Sequence, residues 1–266
     1  MIQLEVEVKH IVFFSSGIGS WVAAKRVVEQ HGAENVTLLF ADTGIEDEDN
    51  YRFLHEAAEN IGAPLHIVAD GRTPWDVFKD RRWIGNSRVA QCSEELKQKT
   101  CKKWLAEHDP EGLATLYVGI DWTEVHRIPA IEKGWSPRTV LAPLCDAPYL
   151  DKRVMIDMAK DAGIEPPRLY ALGFSHANCG GFCVRGGQGH FATLLRAFPD
   201  RYAEHEQKEL DLRDYLETES TILTEVVAGG KRGLTLRDLR LRIEADEQVD
   251  MFAVGGCGCF TDGEDK

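Results

Sequence analysis

The feature that most constrains the fold of this 266-residue chain is an apolar run that is followed by a loop of small residues and then by a helical pattern. Residues 10–14 predict a buried strand, and residues 21–28 predict a helix. Between them, residues 15–20 contain two glycines and three serines, so the backbone can turn tightly and approach an anion closely. Because the amino end of the helix adds partial positive charge, the sequence predicts a phosphate-binding turn.

Further apolar, β-rich runs follow the first strand, with helical patterns between most of them. The additional predicted strands are residues 36–41, 64–69, 115–120 and 139–144. The predicted helices are residues 51–61, a short helix within 73–88, 93–107 capped by Ser93, 149–162, 191–217 and 236–245. This alternation indicates right-handed βαβ units. We therefore predict an α/β fold with a parallel, helix-flanked, Rossmann-like sheet.

The composition changes to glycine and cysteine from Asn178, and charged helical patterns follow it. We therefore predict two parts, a nucleotide-binding α/β domain in residues 1–170 and an appended, mostly helical, cysteine-bearing region in residues 171–266. A small turn is expected at Gly229 and Gly230 within the second part.

The net charge of the chain is −13, from 31 Lys and Arg residues against 44 Asp and Glu residues. Such a surface repels polyanions, which disfavours a nucleic-acid substrate. No apolar stretch approaches the roughly 20 residues that span a bilayer, and residues 1–8 lack the apolar core of a secretory signal. We therefore expect a cytoplasmic protein with no membrane association.

The seven cysteines are an odd number in a chain of predicted cytoplasmic location, and they do not predict a disulfide framework. Four of them form two close pairs, Cys179 with Cys183 and Cys257 with Cys259. Paired thiolates are ligands that zinc and iron–sulfur clusters prefer, so the pairs predict a metal or cluster site. The spacing by itself does not distinguish the two.

Polar residues follow the second and fourth predicted strands, at the edge where open parallel sheets bind ligands. Asp42 ends the second strand, where it can hold a ribose or a magnesium-bound water, or form an Asp-Thr-Gly turn. Asp121, Glu124 and Arg127 follow the fourth strand. Arg127 suits a phosphate or sulfate, because a guanidinium can donate two parallel hydrogen bonds.

Several segments, in their order along the chain, resemble the motifs of the PP-loop superfamily of adenine-nucleotide enzymes, most closely the phosphoadenylyl-sulfate (PAPS) reductase family. Residues 15–20 stand where that family has a Ser-Gly-Gly-x-Asp-Ser loop, and residues 40–44 resemble its second-strand signature. Residues 92–97 resemble its Cys-x-x-x-Leu-Lys segment, and residues 169–183 resemble its late Leu-Tyr-x-x-Gly element with paired cysteines. The resemblance implies a Rossmann-like fold of the HUP type.

The resemblance further implies that the loop binds an adenine nucleotide, either ATP or a sulfonucleotide, with Mg²⁺ as a further candidate. The implied nucleotide-binding residues are Ser15, Ser16, Gly17, Ile18, Gly19, Ser20, Asp42 and Lys97. The loop departs from the family pattern where Ser16 replaces a glycine and Gly19 replaces the aspartate. Without that aspartate, the loop lacks a negative charge beside the bound phosphate. This variant is compatible with either branch of the family, so both ATP cleavage and sulfonucleotide binding stay open.

A [4Fe-4S] cluster, favoured over Zn²⁺, is the second cofactor that the resemblance implies. Cluster-bearing reductases take ligands from a Cys-Cys pair, here residues 91–92, and from a later pair, here Cys179 and Cys183. Glutamine occupies the first of these places, which leaves the fourth position to Cys257, to Cys259 or to a non-protein ligand. The implied ligand candidates are Cys92, Cys179, Cys183, Cys257 and Cys259.

Two reactions and one non-enzymatic role follow from these observations. In the first reaction, ATP adenylates a substrate oxygen, pyrophosphate leaves, and a sulfur or other nucleophile displaces AMP. In the second, Cys257 or Cys259 attacks the sulfur of a sulfonucleotide, as reactive tail cysteines do in the reductases. Because residues 257–259 do not match the Glu-Cys-Gly-Leu-His motif of those enzymes, the first is preferred. The catalytic candidates are Arg127, Cys257 and Cys259.

The predicted partners are a small nucleotide and a sulfur donor or reductant protein. A non-catalytic nucleotide sensor or partner-binding protein is the alternative from another class, because a fold alone does not establish catalysis.

Overall fold

The computed structural model describes residues 9–86, 90–228, 230–253 and 255. The central strands are β1 (His10–Phe13), β2 (Val36–Asp42), β3 (Leu65–Ala69), β4 (Thr115–Tyr117) and β5 (Val140–Leu141). They form a five-stranded sheet in the order β3-β2-β1-β4-β5, and every pair in it is parallel. The predicted α/β class and its helix-flanked parallel sheet are confirmed.

Helices cover both faces of this sheet and make up most of the later part of the described chain. They are α1 (Ile18–His31), α2 (Glu48–Ile61), α3 (Pro74–Asp80), α4 (Thr100–His108), α5 (Ile128–Trp135), α6 (Lys152–Asp161), α7 (Arg168–Ala171), α8 (Gln188–Ala197), α9 (Pro199–Leu216) and α10 (Leu236–Glu244). None of the described helices is both long and apolar enough to cross a membrane.

Two local predictions are wrong, and each has a physical reason. The predicted helix 191–217 is two helices, because Pro199 has no N–H to donate and pushes Phe198 to a non-helical φ of −142°. Ser93 does not cap a helix, because residues 91–92 are already helical. Ser93 instead begins a π-helical segment, Ser93–Lys99, which continues into α4.

Burial on both faces explains why the strands read as continuous apolar runs rather than as alternating ones. In β1, Val12 packs with α1 and α2 on one face, whereas Ile11 and Phe13 pack with α4 and α5 on the other. All of these side chains are at most 2% exposed. The first strand is therefore the centre of both apolar layers, and its carboxyl end is held rigidly.

The later part of the chain has an apolar core of its own. This core joins α7 to α10 with an antiparallel hairpin, β6 (Leu223–Val227) and β7 (Gly230–Leu234). The carboxylate of Glu209 is buried within it and accepts N–H groups from Ile222 at 2.9 Å and from Leu236 at 2.7 Å. Trp75 and Phe78 of α3 also pack into this core, so an element of the first 170 residues contributes to the second part.

An ion-pair hub centred on Asp47 fastens this later part to the sheet. Asp47 follows β2, caps α2, and is fully buried. Its carboxylate accepts two hydrogen bonds from Arg168, at 2.8 and 2.9 Å, and one from Arg201 at 3.0 Å. Burial alone would raise the pKa of Asp47, but hydrogen bonds from Arg168 and Arg201 outweigh it and hold the pKa below its usual value. The Asp47 charge therefore stabilises the docked arrangement.

The hub predicts that Asp47→Ala lowers the free energy of unfolding at pH 7 by about 3 kcal/mol, because two arginines lose a buried partner. Urea unfolding measures this value. Glu48→Ala, at an exposed neighbour, is the matched control and should change it by less than about 0.5 kcal/mol.

The stability difference between wild type and Asp47→Ala should also depend on pH. The pKa of Asp47 in the folded protein lies below its unfolded value near 3.8. The full contribution of the Asp47 carboxylate to stability is therefore present above that pH. It should diminish as the pH falls from there through the lower folded value. An unchanged stability in Asp47→Ala at neutral pH would contradict the role of the hub.

Candidate functional site

A pocket of about 510 Å³ opens at the carboxyl edge of the sheet, between the ends of β1 and β4. The strand order reverses direction at this point, which is where open parallel sheets bind ligands. The volume lies within the roughly 300–1,000 Å³ typical of small-molecule sites. We call it the rim pocket. Its lining includes Ser15, Gly17, Gly19, Ser20, Gly119, Asp121, Trp122, Glu124, Arg127, Asp151, Lys152, Ser175, His176, Asn178 and Gly255.

The loop of residues 15–20 adopts the tight turn that the sequence predicts. Ser16 has a φ of +55°, in the left-handed region that favours glycine, and its side chain is buried. Gly17 then precedes α1 in an extended conformation without a side-chain cap. The Ser20 hydroxyl donates to the Gly17 carbonyl at 2.8 Å, which closes the first turn. The loop therefore brings its backbone to the amino end of α1, and Ser15 lines the pocket beside it.

The first turn of α1 supplies N–H donors at the rim pocket. The N–H of Ile18 donates to the Tyr170 hydroxyl at 3.1 Å, so the late Leu-Tyr-x-x-Gly segment contacts the loop directly. The N–H groups of Gly19 and Ser20 also belong to the first turn, which has no intrahelical acceptors to offer them. These donors and the helix dipole favour an anion at this end of the pocket.

Gly19 is in close backbone contact with the end of β4. A Cβ atom at Gly19 would lie 2.8 Å from the carbonyl oxygen of Gly119, and one at Gly119 would lie 2.7 Å from the Cα of Ser20. Neither backbone position can rotate away as a flexible side chain would. The aspartate that the PP-loop family has at this place therefore does not fit between α1 and β4 in this chain.

Carboxylates reach the rim pocket from β4 and from the start of α6 instead. Asp121 follows β4, and its Oδ1 accepts the N–H of Thr123 at 2.9 Å. Glu124 accepts a hydrogen bond from Arg127, so the predicted anion-binding arginine lines the pocket with its charge already paired. Asp151 adds a further carboxylate at the same pocket. Acidic groups beside N–H donors suit a polyphosphate that carries Mg²⁺, which binds through one or two carboxylates and phosphate oxygens.

Four of the eight predicted nucleotide-binding residues do not line the rim pocket. Ser16 and Ile18 belong to the loop and the start of α1, but both are buried, and Asp42 and Lys97 lie elsewhere. Asp42 does not line the rim pocket, because its Oδ1 accepts hydrogen bonds from the Gly44 N–H and the Tyr51 hydroxyl, both at 2.8 Å. Asp42 therefore has the hydrogen bonding of an Asp-Thr-Gly turn, which was the alternative prediction for this residue. Lys97 is only 4% exposed and lines a second, smaller cavity on the other side of the loop that follows β2.

The second cavity brings together three cysteines that are distant in sequence, and we call it the cysteine cavity. It is lined by Thr43, Pro74, Ala90, Cys92, Ser93, Lys97, Cys179, Phe182, Cys183, Val184 and Arg185. Cys101 lies in the apolar layer of α4, and Cys145 lies near the Ile120 carbonyl, so neither belongs to this cavity. Cys257 and Cys259 lie outside the described residues.

The π-helical turn explains why Cys92, Ser93 and Lys97 all line the same cavity. Its wider i to i+5 spacing brings side chains four and five positions apart onto one side of the helix. Such turns occur frequently at functional sites. No sequence signal predicts this geometry, because the spacing of polar and apolar residues in this segment is compatible with an ordinary helix.

The carboxylate of Glu46 holds the backbone of the first paired cysteine. Cys179 and Gly180 have left-handed φ values of +56° and +58°, and the Cys179 N–H donates to Glu46 at 2.5 Å. Glu46 is buried, accepts the Thr43 hydroxyl at 3.1 Å, and lies 3.9 Å from the Lys97 ammonium. Burial raises the pKa of Glu46, although Lys97 and the hydrogen bonds oppose this. Burial also raises the pKa of Cys179 well above its usual value, and Lys97 again opposes the shift.

Phe182 anchors the paired-cysteine segment in the core of the later part. Its ring stacks on His205 at a centroid distance of 3.9 Å and on Trp75 at 5.2 Å. The Trp75 indole N–H donates to Nδ1 of His205 at 3.0 Å. Burial lowers the pKa of His205 to about 3, with smaller effects from Lys208 and Arg201, so the ring stays neutral and can accept. Packing against these rings fixes the position of the cysteine segment.

All three cysteines line this one cavity. Within the described ranges, no three His, Cys, Asp or Glu side chains are placed to hold a single metal ion. Cysteine sulfur is the type of donor that both zinc and iron–sulfur clusters bind, so the residue types, taken alone, do not distinguish the two.

Adjacent residues connect the two sites. Ser175, His176 and Asn178 line the rim pocket, whereas Cys179 lines the cysteine cavity. The chain therefore passes from one site to the other within a single peptide bond.

No protein-family model matches the sequence, and no curated protein matches it. Among solved structures, PAPS reductase from Candida auris, in a phosphate complex, is 17% identical, with 64% of this chain and 79% of that chain covered and a TM-score of 0.44. NMN synthetase from Francisella tularensis is 13% identical, with 59% and 62% covered and a TM-score of 0.42. NH3-dependent NAD synthetase from Campylobacter jejuni, with nitrate, is 13% identical, with 79% and 84% covered and a TM-score of 0.42. Likenesses this distant do not transfer an activity to this chain.

The contact between Gly19 and Gly119 predicts that Gly19→Ala destabilises the protein by about 1–3 kcal/mol, because the added methyl group overlaps backbone. Gly19→Asp, which matches the family loop, should be at least as destabilising. Chemical unfolding and circular dichroism test both variants.

Gly17→Ala is the matched control for these variants. A Cβ at Gly17 would lie 3.4 Å from the Tyr170 hydroxyl, which is ordinary contact, and its φ of −98° is open to alanine. A Gly19→Asp protein as stable as wild type would show that α1 and β4 are not packed as described.

Proposed function

We propose that this chain is an enzyme of the PP-loop type that binds an adenine nucleotide in the rim pocket and acts in sulfur chemistry. The observation that carries the proposal is the rim pocket itself, in which backbone N–H donors of α1 and carboxylates from β4 and α6 line one site at the switch point of the sheet. The resemblance of the loop and of the late Leu-Tyr-x-x-Gly segment to the PAPS reductase family supports an adenine nucleotide. The Ile18 N–H donates to the Tyr170 hydroxyl, so the two segments that carry this resemblance are in contact.

The charge of the pocket favours ATP with Mg²⁺ over a sulfonucleotide without metal. Asp121, Glu124 and Asp151 contribute three carboxylates, against the two cationic side chains of Arg127 and Lys152. Bare phosphates would be repelled by this excess, whereas Mg²⁺ would bridge them to the carboxylates. Asp121 takes the role that the family assigns to the loop aspartate, from the strand that contacts Gly19.

The proposed reaction is adenylation of an acceptor oxygen. The acceptor oxygen attacks the α-phosphorus of ATP, the bond from that phosphorus to the α–β bridging oxygen breaks, and pyrophosphate leaves. The N–H groups of α1 would stabilise negative charge on the phosphates, and Arg127 and Lys152, which line the same pocket, would contact the departing pyrophosphate. A sulfur nucleophile then displaces AMP from the activated acceptor.

The cysteine cavity would hold an iron–sulfur centre through Cys92, Cys179 and Cys183, which supplies sulfur or redox chemistry when bound. Lys97 is buried beside these sulfurs and would offset the negative charge of thiolate ligands. Glu46 fixes the Cys179 backbone, so the donor set is positioned by residues that do not themselves bind the centre.

The nucleotide assignment predicts Mg²⁺-dependent binding of ATP that weakens about tenfold in Asp121→Asn, a loss of about 1.4 kcal/mol. Isothermal titration with ATP, with sulfonucleotides, and with ATP plus a chelator measures the preference. Asp146→Asn, at a nearby exposed carboxylate, is the matched control and should bind as wild type does.

Turnover is tested by pyrophosphate release from ATP with a panel of oxygen acceptors. Release above the acceptor-free rate supports adenylation. Binding of ATP and sulfonucleotides without turnover on any acceptor would favour the nucleotide sensor instead. Tighter binding of sulfonucleotides than of ATP, without Mg²⁺ dependence, would favour the reductase.

The cysteine assignment predicts that protein purified without oxygen carries iron and sulfide, and that Cys92→Ser, Cys179→Ser and Cys183→Ser each lose part of both. Cys145→Ser is the control, because Cys145 lies outside the cysteine cavity. Iron and sulfide analysis and the visible spectrum provide the measurement. A colourless protein that holds one zinc ion would contradict the cluster.

A further inference from the structure

Trp122 and Tyr149 form an exposed aromatic pair at the edge of the rim pocket. Their ring centroids lie 6.0 Å apart, and the ring planes are tilted by 52°. Trp122 is 45% exposed and lines the pocket. Tyr149 is 63% exposed and directly precedes two further lining residues, Leu150 and Asp151. A single exposed aromatic side chain is ordinary, but two in contact beside a pocket form a surface that a ligand can cover.

The backbone on both sides of Trp122 holds it in place. Trp122 begins a short 3-10 helix, Trp122–Arg127, which Asp121 caps. The Asp121 carboxylate accepts the N–H of Thr123 at 2.9 Å and the hydroxyl of the same residue at 2.5 Å. Asp121 also forms a parallel β-bridge with Leu144, which joins this turn to the chain that follows β5. The indole ring therefore stays half exposed on a fixed turn.

A guanidinium group of α1 holds the loop that leads to Tyr149. Nη1 of Arg26 donates to the carbonyl oxygens of Pro143 at 2.7 Å and of Asp146 at 3.1 Å. Nη2 of Arg26 donates to the carbonyl oxygen of Pro148, directly before Tyr149, at 2.5 Å. Because both rings stand on backbone that is already held, a ligand that covers them pays less ordering entropy than it would on a free loop.

The chemistry around the pair favours a planar ring without negative charge. Aromatic side chains stack on flat π-systems whatever the pattern of heteroatoms. Three carboxylates line the pocket beside the pair, those of Asp121, Glu124 and Asp151. Carboxylates at this distance repel an anionic ligand, whereas an aromatic face also attracts a cationic one. The ligand that fits is therefore an uncharged or cationic planar ring.

The position of Trp122 suits the acceptor better than the adenine of ATP. Trp122 is next in the chain to Asp121, the carboxylate to which the proposed function assigns the Mg²⁺-bound phosphates. The adenine of ATP is separated from its own phosphates by the ribose. The acceptor oxygen, in contrast, must lie within about 3–3.5 Å of the α-phosphorus to attack it. A ring on Trp122 is thus beside the phosphates, where the acceptor is needed.

We propose that Trp122 and Tyr149 bind the acceptor of the adenylation reaction, and that this acceptor is a planar ring compound, uncharged or cationic, that carries the attacking oxygen. The inference rests on the proposed function, because it names the substrate class of that same reaction. The two residues determine specificity by contact with the ring, and the reacting phosphate stays on the N–H groups of α1.

The test measures the binding of three probes to the full-length protein in the presence of Mg²⁺ and α,β-methylene-ATP, which binds without transferring its adenylyl group. Benzamide has a planar, uncharged ring. Cyclohexanecarboxamide carries the same amide on a saturated ring, and benzoate carries a negative charge on the same planar ring. Isothermal titration and ligand-observed magnetic resonance give the dissociation constants.

The variants are Trp122→Ala, Trp122→Phe and Tyr149→Ala. Trp83→Ala is the matched control, because Trp83 is 46% exposed but does not line the rim pocket. Circular dichroism shows whether each variant is folded.

We expect benzamide to bind wild type about tenfold more tightly than either of the other two probes, which is the scale of a stacking contact. Trp122→Ala should lose this preference, and Tyr149→Ala should lose part of it. Trp122→Phe should keep most of it, which separates the loss of a ring from a loss of folding. Trp83→Ala should match wild type, and every variant should bind α,β-methylene-ATP as wild type does.

Three results would overturn the role of the aromatic pair while leaving the proposed function in place. They are wild type that does not bind benzamide in preference to the other probes, a preference that survives in Trp122→Ala, and a tenfold loss of α,β-methylene-ATP affinity in Trp122→Ala that Trp122→Phe restores. The last of these would assign the pair to the adenine of ATP. Wild type that binds no α,β-methylene-ATP would instead overturn the proposed function, and this inference with it.

Discussion

The two adjacent carboxylates that follow β2 are the constraint on which the rest of the structure depends. Asp47 pairs with Arg168 and Arg201, and Glu46 accepts the N–H of Cys179. Both carboxylates are buried, so their hydrogen bonds form in a medium that penalises any unpaired charge. One short loop of the sheet therefore fixes the later part of the chain in place and sets the backbone of the cysteine cavity.

This arrangement brings the two candidate sites next to each other. Asn178 lines the rim pocket and Cys179 lines the cysteine cavity, and Arg201 donates to both Asp47 and the Gly180 carbonyl, at 3.0 and 2.6 Å. The rim pocket is thus built from loops at a sheet edge, and the cysteine cavity is built from a helix and a turn held against that edge.

Sequence patterns predicted the sheet and the position of the small-residue loop. They did not predict how the loop packs against the end of β4. The absence of an aspartate at Gly19 is visible in the sequence, whereas its cause, backbone contact with Gly119, is not. Lys97 and Asp42 were predicted to bind nucleotide, yet Lys97 lines the cysteine cavity and Asp42 bonds to Gly44 and Tyr51. The spacing of apolar residues in the sequence predicts which residues are buried, but it does not predict which of two neighbouring cavities they line.

By itself the sequence determined the α/β class, the strand that ends in a turn of small residues, and the residue types available for chemistry, because burial periodicity and turn residues are local properties. Only the tertiary structure decided that Cys92, Cys179 and Cys183 line one cavity, and that Lys97 lines the same cavity from a π-helical turn. These facts depend on contacts between residues more than 80 positions apart, and on a helical hydrogen-bond pattern that side-chain spacing does not encode.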